Sequence, residues 1–183
     1  MGPESGTGHY RTETIFAMHG FGNFWRFGDR RMKYEIALFK EEHWYAMRFS
    51  DDAQALTGLS AAEHARILAR GGPAYSAFVD GKIIAMGGVF ILWPGTGEAW
   101  CLTSPEIRKH AVFFIRAVNR YLDIIAQAKK LERIQAAVQA DFLAGMKFAE
   151  GVGFEAEGLM PKYFNGKSFI RFAKFYNGNQ TGK

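Results

Sequence analysis

From Ala111 onward, apolar residues recur every three or four positions: Ala111, Phe114, Ile115, Val118, Leu122, Ile125 and Ala128 form one stripe. Arg116, Arg120, Asp123, Gln127 and Lys130 fall on the other faces. This spacing predicts one amphipathic helix over residues 105–130, with Ser104 as N-cap and Pro105 in the first helical position. The pattern differs on either side of it. Residues 74–79 and 82–93 are short and long apolar runs joined by Asp80-Gly81, a dipeptide suited to a type I′ hairpin because both central residues need positive φ. Pro94-Gly95-Thr96-Gly97 turns the chain into a third strand, 98–103, completing an antiparallel meander. Gly87-Gly88 within the long strand predicts a bulge or a close approach by another group.

The remaining elements follow from the same rules. Residues 34–40 read as a strand and 41–49 as a short helix. Ser60 and Glu63 make a capping box for a helix that stops at Gly71-Gly72-Pro73. Residues 134–140 form a strand after a strand–helix unit. They are therefore expected parallel to 98–103, through a right-handed crossover. A short helix over 142–151 ends near Gly151 and Gly153, and a closing hairpin joins 155–164 to 167–176 through Asn165-Gly166. Pro161 places the first arm of that hairpin at an edge or a bulge. Residues 1–31 show neither sustained periodicity nor clear caps. They read as an N-terminal extension, either an appended segment or an arm whose Phe21, Phe24, Trp25 and Phe27 dock on a partner, ahead of one domain over 32–183.

Composition narrows the class. The chain of 183 residues, 48% apolar and 22% charged, suits one globular domain with a sizeable core. Its longest apolar stretch, 83–93, is too short to span a bilayer, so no membrane partner is expected. A polar start gives no sign of a signal peptide. The single Cys101 excludes an intrachain disulfide and fits a reducing compartment such as the cytoplasm; inside an apolar run it reads as a small core residue. The five histidines show no metal-ligand spacing, so no metal is expected. A net charge of +5 leans toward anionic partners. Most basic residues are scattered. The Phe and Arg alternation at 169–175 reads as a half-buried sheet before it reads as a base-stacking surface, so nucleic acid is not expected as a partner.

One stretch concentrates the candidate chemistry. "TSPEIRKHAVFF", 103–114, leaves a strand and enters the long helix, where backbone N–H groups and the helix dipole favour an anion. Arg108, Lys109 and His110 add charge there. Such cations oppose the dipole by about 0.3–1 kcal/mol each at exposed sites, a cost that a bound polyanion would offset. On the central strands Glu98 is the only acid, and it shares parity with Trp100 and Leu102.

The element order, together with two segments, resembles the GNAT superfamily of acyl-CoA-dependent N-acetyltransferases over residues 32–176. "LTSPEIRKHA" is similar to the family's strand-end segment, with Thr103, Pro105 and Arg108 at its Val, Pro and Arg; Ala111 and Phe113 stand where the family has glycines. "MKFAEGVGFEAEG" resembles the family's short helix ending in Gly-Phe, matched by Gly153-Phe154. Trp100, Leu102-Thr103-Ser104, Lys109-His110, Phe113-Phe114 and Arg116 further resemble the GNAT-like internal virion proteins of tailed phages.

The resemblance implies an α/β (α+β) fold with a mixed twisted sheet of six to seven strands, flanking helices and a splayed parallel pair. It implies acetyl-CoA as cosubstrate, held by Leu102, Thr103, Arg108, Lys109, His110 and Ala111. The acceptor is an amine on a small molecule or protein. Glu98 is the candidate base. Ala149 stands at the place of the family's thiolate-protonating Tyr, which leaves Tyr163 as the substitute acid. The alternative is a catalytically degenerate phage virion or assembly protein, partnered by virion proteins in the host cytoplasm or virion.

Overall fold

The computed structural model describes residues 23–27, 30–49 and 60–176, with side chains from residue 32 on. One mixed sheet organises it. The strands are β1 (Asn23–Phe27), β2 (Arg30–Leu38), β3 (Ala74–Val79), β4 (Lys82–Trp93), β5 (Thr96–Thr103), β6 (Arg133–Gln139), β7 (Glu155–Phe164) and β8 (Lys167–Phe175). They lie in the order β1-β2-β3-β4-β5-β6-β8-β7. Every neighbouring pair is antiparallel except β5 and β6, the parallel pair expected after the strand–helix unit. The sheet has one strand more than six to seven because β1 pairs with β2, Asn23 opposite Tyr34 and Phe27 opposite Arg30. It therefore takes in residues upstream of Met32; the earlier part of the 1–31 segment, Phe21 included, lies outside the described residues.

The turns obey their dipeptides. Asp80 and Gly81 have φ of 47° and 76°, and Asn165 and Gly166 of 48° and 73°, so both hairpins reverse through two left-handed residues. Gly87 and Gly88 mark a close approach and not a bulge. A Cβ on Gly88 would stand 2.6 Å from the Pro73 carbonyl, whereas the register shifts fall at Ala77/Phe78 and Ile91/Trp93. Pro161 lies in β7, which is indeed the edge strand and is irregular between Met160 and Phe164.

Helices cover both faces. On one side lie α1 (Glu41–Ala46) and α2 (Ala61–Arg70). The capping box of α2 forms as its sequence requires: Ser60 Oγ accepts from the Glu63 amide and Glu63 accepts from the Ser60 amide. Trp44, Ala65 and Leu68 bury against Met86, with Phe90, Trp100 and Leu102 packed around them. On the other side lie α3 (Ala111–Lys129) and α4 (Leu143–Gly151). Here Leu122, Ile125, Ala126, Ala149 and Val152 bury against Val89, Ile134 and Phe172.

The long helix departs from expectation at its start. Residues Pro105–His110 wind as a 3-10 helix, and the α-helix begins only at Ala111. The reason is visible at His110. Its ring is buried, its Nδ1 lies 3.2 Å from the Tyr34 hydroxyl, and the tighter turn carries it inward to reach β2. Ser104 makes no side-chain cap.

Candidate active site

The parallel ladder sets the site. β5 and β6 pair only from Thr96 to Glu98 against Arg133 to Gln135. Beyond that point β5 continues to Thr103 and β6 to Gln139 without pairing, so the two strands splay. Their facing edges then carry backbone donors and acceptors with no ladder partner. A cleft of about 1480 Å³ opens in the gap, lined by Cys101, Leu102 and Thr103 of β5 and by Val138 and Gln139 of β6.

At its mouth stand Ser104, Arg108 and Ala111. Ser104 is 3% exposed, and its Oγ has no hydrogen-bond partner among the described residues. Arg108 is exposed beside it. Lys109 is exposed but does not line the cleft, and neither does His110. Burial is the largest cause of a lowered pKa at His110, ahead of the opposing pull of Glu106. The structure thus separates the Arg108–His110 cluster into one residue at the mouth, one on the surface and one in the core. Phe113 turns inward as well, its ring 4.2 Å from that of Tyr34, so it leaves the mouth open.

At the vertex stands Glu98. Its carboxylate accepts from Arg171 at 2.8 Å and from Gln135 Nε2 at 2.7 Å. Trp100 and Leu102, of the same parity, pack toward α1 and α2. Tyr163 also lines the cleft, with its ring 5.6 Å from the Arg171 guanidinium and 5.4 Å from the Phe169 ring. The structure therefore links Glu98 and Tyr163 through Arg171. Sequence reading missed that residue. The signal was there: an Arg inside the otherwise apolar row Phe169, Ala173, Phe175 is rarely half-buried unless paired. Ala149 is 6% exposed and serves as core. Tyr121 packs on Tyr75, with ring centroids 4.4 Å apart.

Cys101 is not a core residue. It is exposed by surface area, but that surface faces the cleft, where surrounding protein atoms push its thiol up to about 12. Such a thiol stays protonated at neutral pH and is a poor nucleophile. Among the described residues no group of His, Cys, Asp and Glu is arranged to hold a metal ion, and no helix is long and apolar enough to cross a membrane.

No family model matches the sequence, and no curated protein does. Solved structures do. A ribosomal-protein-S5-alanine acetyltransferase from Vibrio fischeri superposes with a TM-score of 0.64 at 16% identity, over 82% of this chain and 96% of that one. A GNAT-family acetyltransferase from Bacillus anthracis gives 0.63 at 15%, over 78% and 94%. A variant spermidine N-acetyltransferase from Vibrio cholerae gives 0.64 at 14%, over 78% and 93%. With its splayed parallel pair, its helices on both faces and these neighbours, the chain has the fold of the GNAT acetyltransferases.

Proposed function

We propose that the chain transfers an acetyl group from acetyl-CoA to an amine. The observation that carries this reading is the splay of β5 from β6 directly before a helix start that holds Arg108 at the cleft. The residues present fit the cosubstrate. The unpaired edges beyond Glu98 offer hydrogen bonds to an amide-bearing arm. Arg108 offers charge to phosphates, and the small side chain of Ala111 lines the cleft beside it. The thioester supplies an activated acyl carbon.

In the transfer a C–N bond forms to the acyl carbon and the C–S bond breaks. The amine loses a proton, which Glu98 accepts directly or through water, and the thiolate gains one, for which Tyr163 is the donor at hand. Arg171 and Gln135 hold the Glu98 carboxylate in place and are positioning residues. Calorimetric titration with acetyl-CoA, followed by thiol release with an amine panel, tests the reading. Saturable binding weakened by Arg108→Glu supports it. Absence of binding at millimolar acetyl-CoA sinks it.

One observation favours the non-catalytic alternative, a degenerate virion or assembly protein. Ala149 occupies the place of the family's Tyr and is buried in the core. That alternative expects acetyl-CoA binding without turnover on any amine, and stable association with virion proteins.

A further inference from the structure

Behind Glu98 a chain of hydrogen bonds runs to the edge of the sheet. Gln135 stands directly opposite Glu98 on the last rung of the parallel ladder. Its Nε2 donates to Glu98 Oε2 at 2.7 Å, and its Oε1 accepts from Arg133 Nε at 3.2 Å. Arg133 Nη1 donates to Glu157 Oε1 at 2.6 Å, and Nη2 donates to Oε2.

The strands explain how these groups meet. Arg133 and Gln135 are two apart on β6 and so share a face. In β7, Ala156 pairs with Phe172 and Gly158 with Arg171, which leaves Glu157 as the extra residue of a bulge. A bulge re-aims a side chain, and here it brings Glu157 to Arg133 across the intervening β8.

The order of donors matters at each link. A side-chain amide can turn either its oxygen or its NH2 to a neighbour, and an oxygen would repel the Glu98 carboxylate. Arg133 carries donors and no acceptor, so it takes the Gln135 oxygen and leaves the NH2 for Glu98. The bidentate grip of Glu157 fixes the guanidinium plane in turn. Glu98 Oε2 then receives two short donors, Gln135 at 2.7 Å and Arg171 Nη1 at 2.8 Å. Oε1 receives only the longer Arg171 contact at 3.2 Å.

We infer that Arg133 and Glu157 are positioning residues which, through Gln135, hold Glu98 so that Oε1 takes the amine proton. The inference rests on the acyl-transfer reading. Neither residue lines the cleft, so each acts only through its neighbours.

The test compares the whole chain with Arg133→Met, Arg133→Lys and the double exchange Arg133→Glu with Glu157→Arg. Each is measured for Tm, for acetyl-CoA affinity by calorimetry, and for thiol release with spermidine, tyramine and glycinamide. Arg133→Met is expected to lower kcat roughly 10-fold, as loss of an outer partner of a functional group does, with acetyl-CoA affinity unchanged. Arg133→Lys should not recover it, because an ammonium lacks the planar fork that serves Gln135 and Glu157 together. The exchange restores an ion pair between β6 and β7, so Tm should recover. It also puts an acceptor beside Gln135, which draws the NH2 away from Glu98, so kcat should stay low. Recovery of kcat along with Tm in the exchange, or an unchanged kcat in Arg133→Met, overturns the inference and leaves the acyl-transfer reading standing. A wild-type chain that binds acetyl-CoA but releases no thiol with any of the three amines overturns the inference and leaves the donor site standing. Failure to bind acetyl-CoA overturns the acyl-transfer reading and this inference with it.

Discussion

Glu98 and Arg171 meet across the point where the sheet opens, and most of the chemistry proposed for this chain passes through that ion pair. Replacing Glu98 by Gln keeps the shape and removes the base. The expected outcome is a fall in kcat of roughly 100-fold, the lower range for a general base, with little change in the affinity for acetyl-CoA measured by calorimetry. Arg171→Met is expected to lower kcat while sparing acetyl-CoA affinity, and Arg171→Lys to recover part of the loss, because position more than contact is what Arg171 supplies. At the mouth, Arg108→Glu exchanges attraction for repulsion toward phosphates. We expect acetyl-CoA affinity to fall about 10-fold or more, and the wild-type affinity to drop with added salt, as charge-assisted contacts do. The exposed position of Arg108 just past β5 was legible in the sequence from its place after Pro105. His110 was not. A charge beside Arg108 in the chain said nothing about Tyr34, seventy-six positions away, which takes the ring into the core.

Three histidines join elements, two of them to the sheet. His43 Nδ1 lies 2.9 Å from Ser76 Oγ and ties α1 to β3; His64 stacks on Trp44 at 4.8 Å between α2 and α1; His110 reaches Tyr34 from the 3-10 turn. Burial is the first cause of a lowered pKa at all three. The sign follows directly. The unfolded chain takes up these protons near 6.5 while the folded one resists them, so the unfolded state binds more protons below that value. Stability is therefore expected to fall as pH drops below about 6.5, toward the lowered folded values. Thermal melts from pH 7.5 to 5.5 check this, and His110→Asn should flatten part of the slope. On the opposite face Lys174 Nζ donates to Asn119 Oδ1 at 3.0 Å and to the Val152 carbonyl at 3.1 Å, fastening α3 and the end of α4 to β8. Lys174→Met leaves that carbonyl without its donor. A loss of about 1–3 kcal/mol is expected in denaturant titration. The helices and hairpins themselves were read from periodicity and turn dipeptides because those signals are local. The break at His110 was not, because Ser104 and Pro105 signal a helix start ahead of it, and the contact of His110 with Tyr34 on β2 is not a local signal.

At the scale of the molecule, the splayed cleft is a feature that a ligand can complete. Acetyl-CoA at about 100 times its Kd is expected to add ~2.7 kcal/mol to the folded state, a rise in Tm of roughly 5–10 °C for a chain of this size. Differential scanning calorimetry measures it, and the rise should shrink in Arg108→Glu. The fold class and the parallel pair were determined by the sequence itself. They depend on side-chain period, on Gly and Asn at positive φ, and on the handedness of a strand–helix–strand crossover, all of which act within a few tens of residues. Three things were decided only by tertiary structure. Pairing of β1 with β2 put the sheet's edge upstream of Met32. The β8 register put Arg171 against Glu98. Packing on the α3 face turned Phe113 inward and left Cys101 facing the cleft. Each depends on which distant surfaces meet and which gaps remain between them, and such contacts leave no period in the chain.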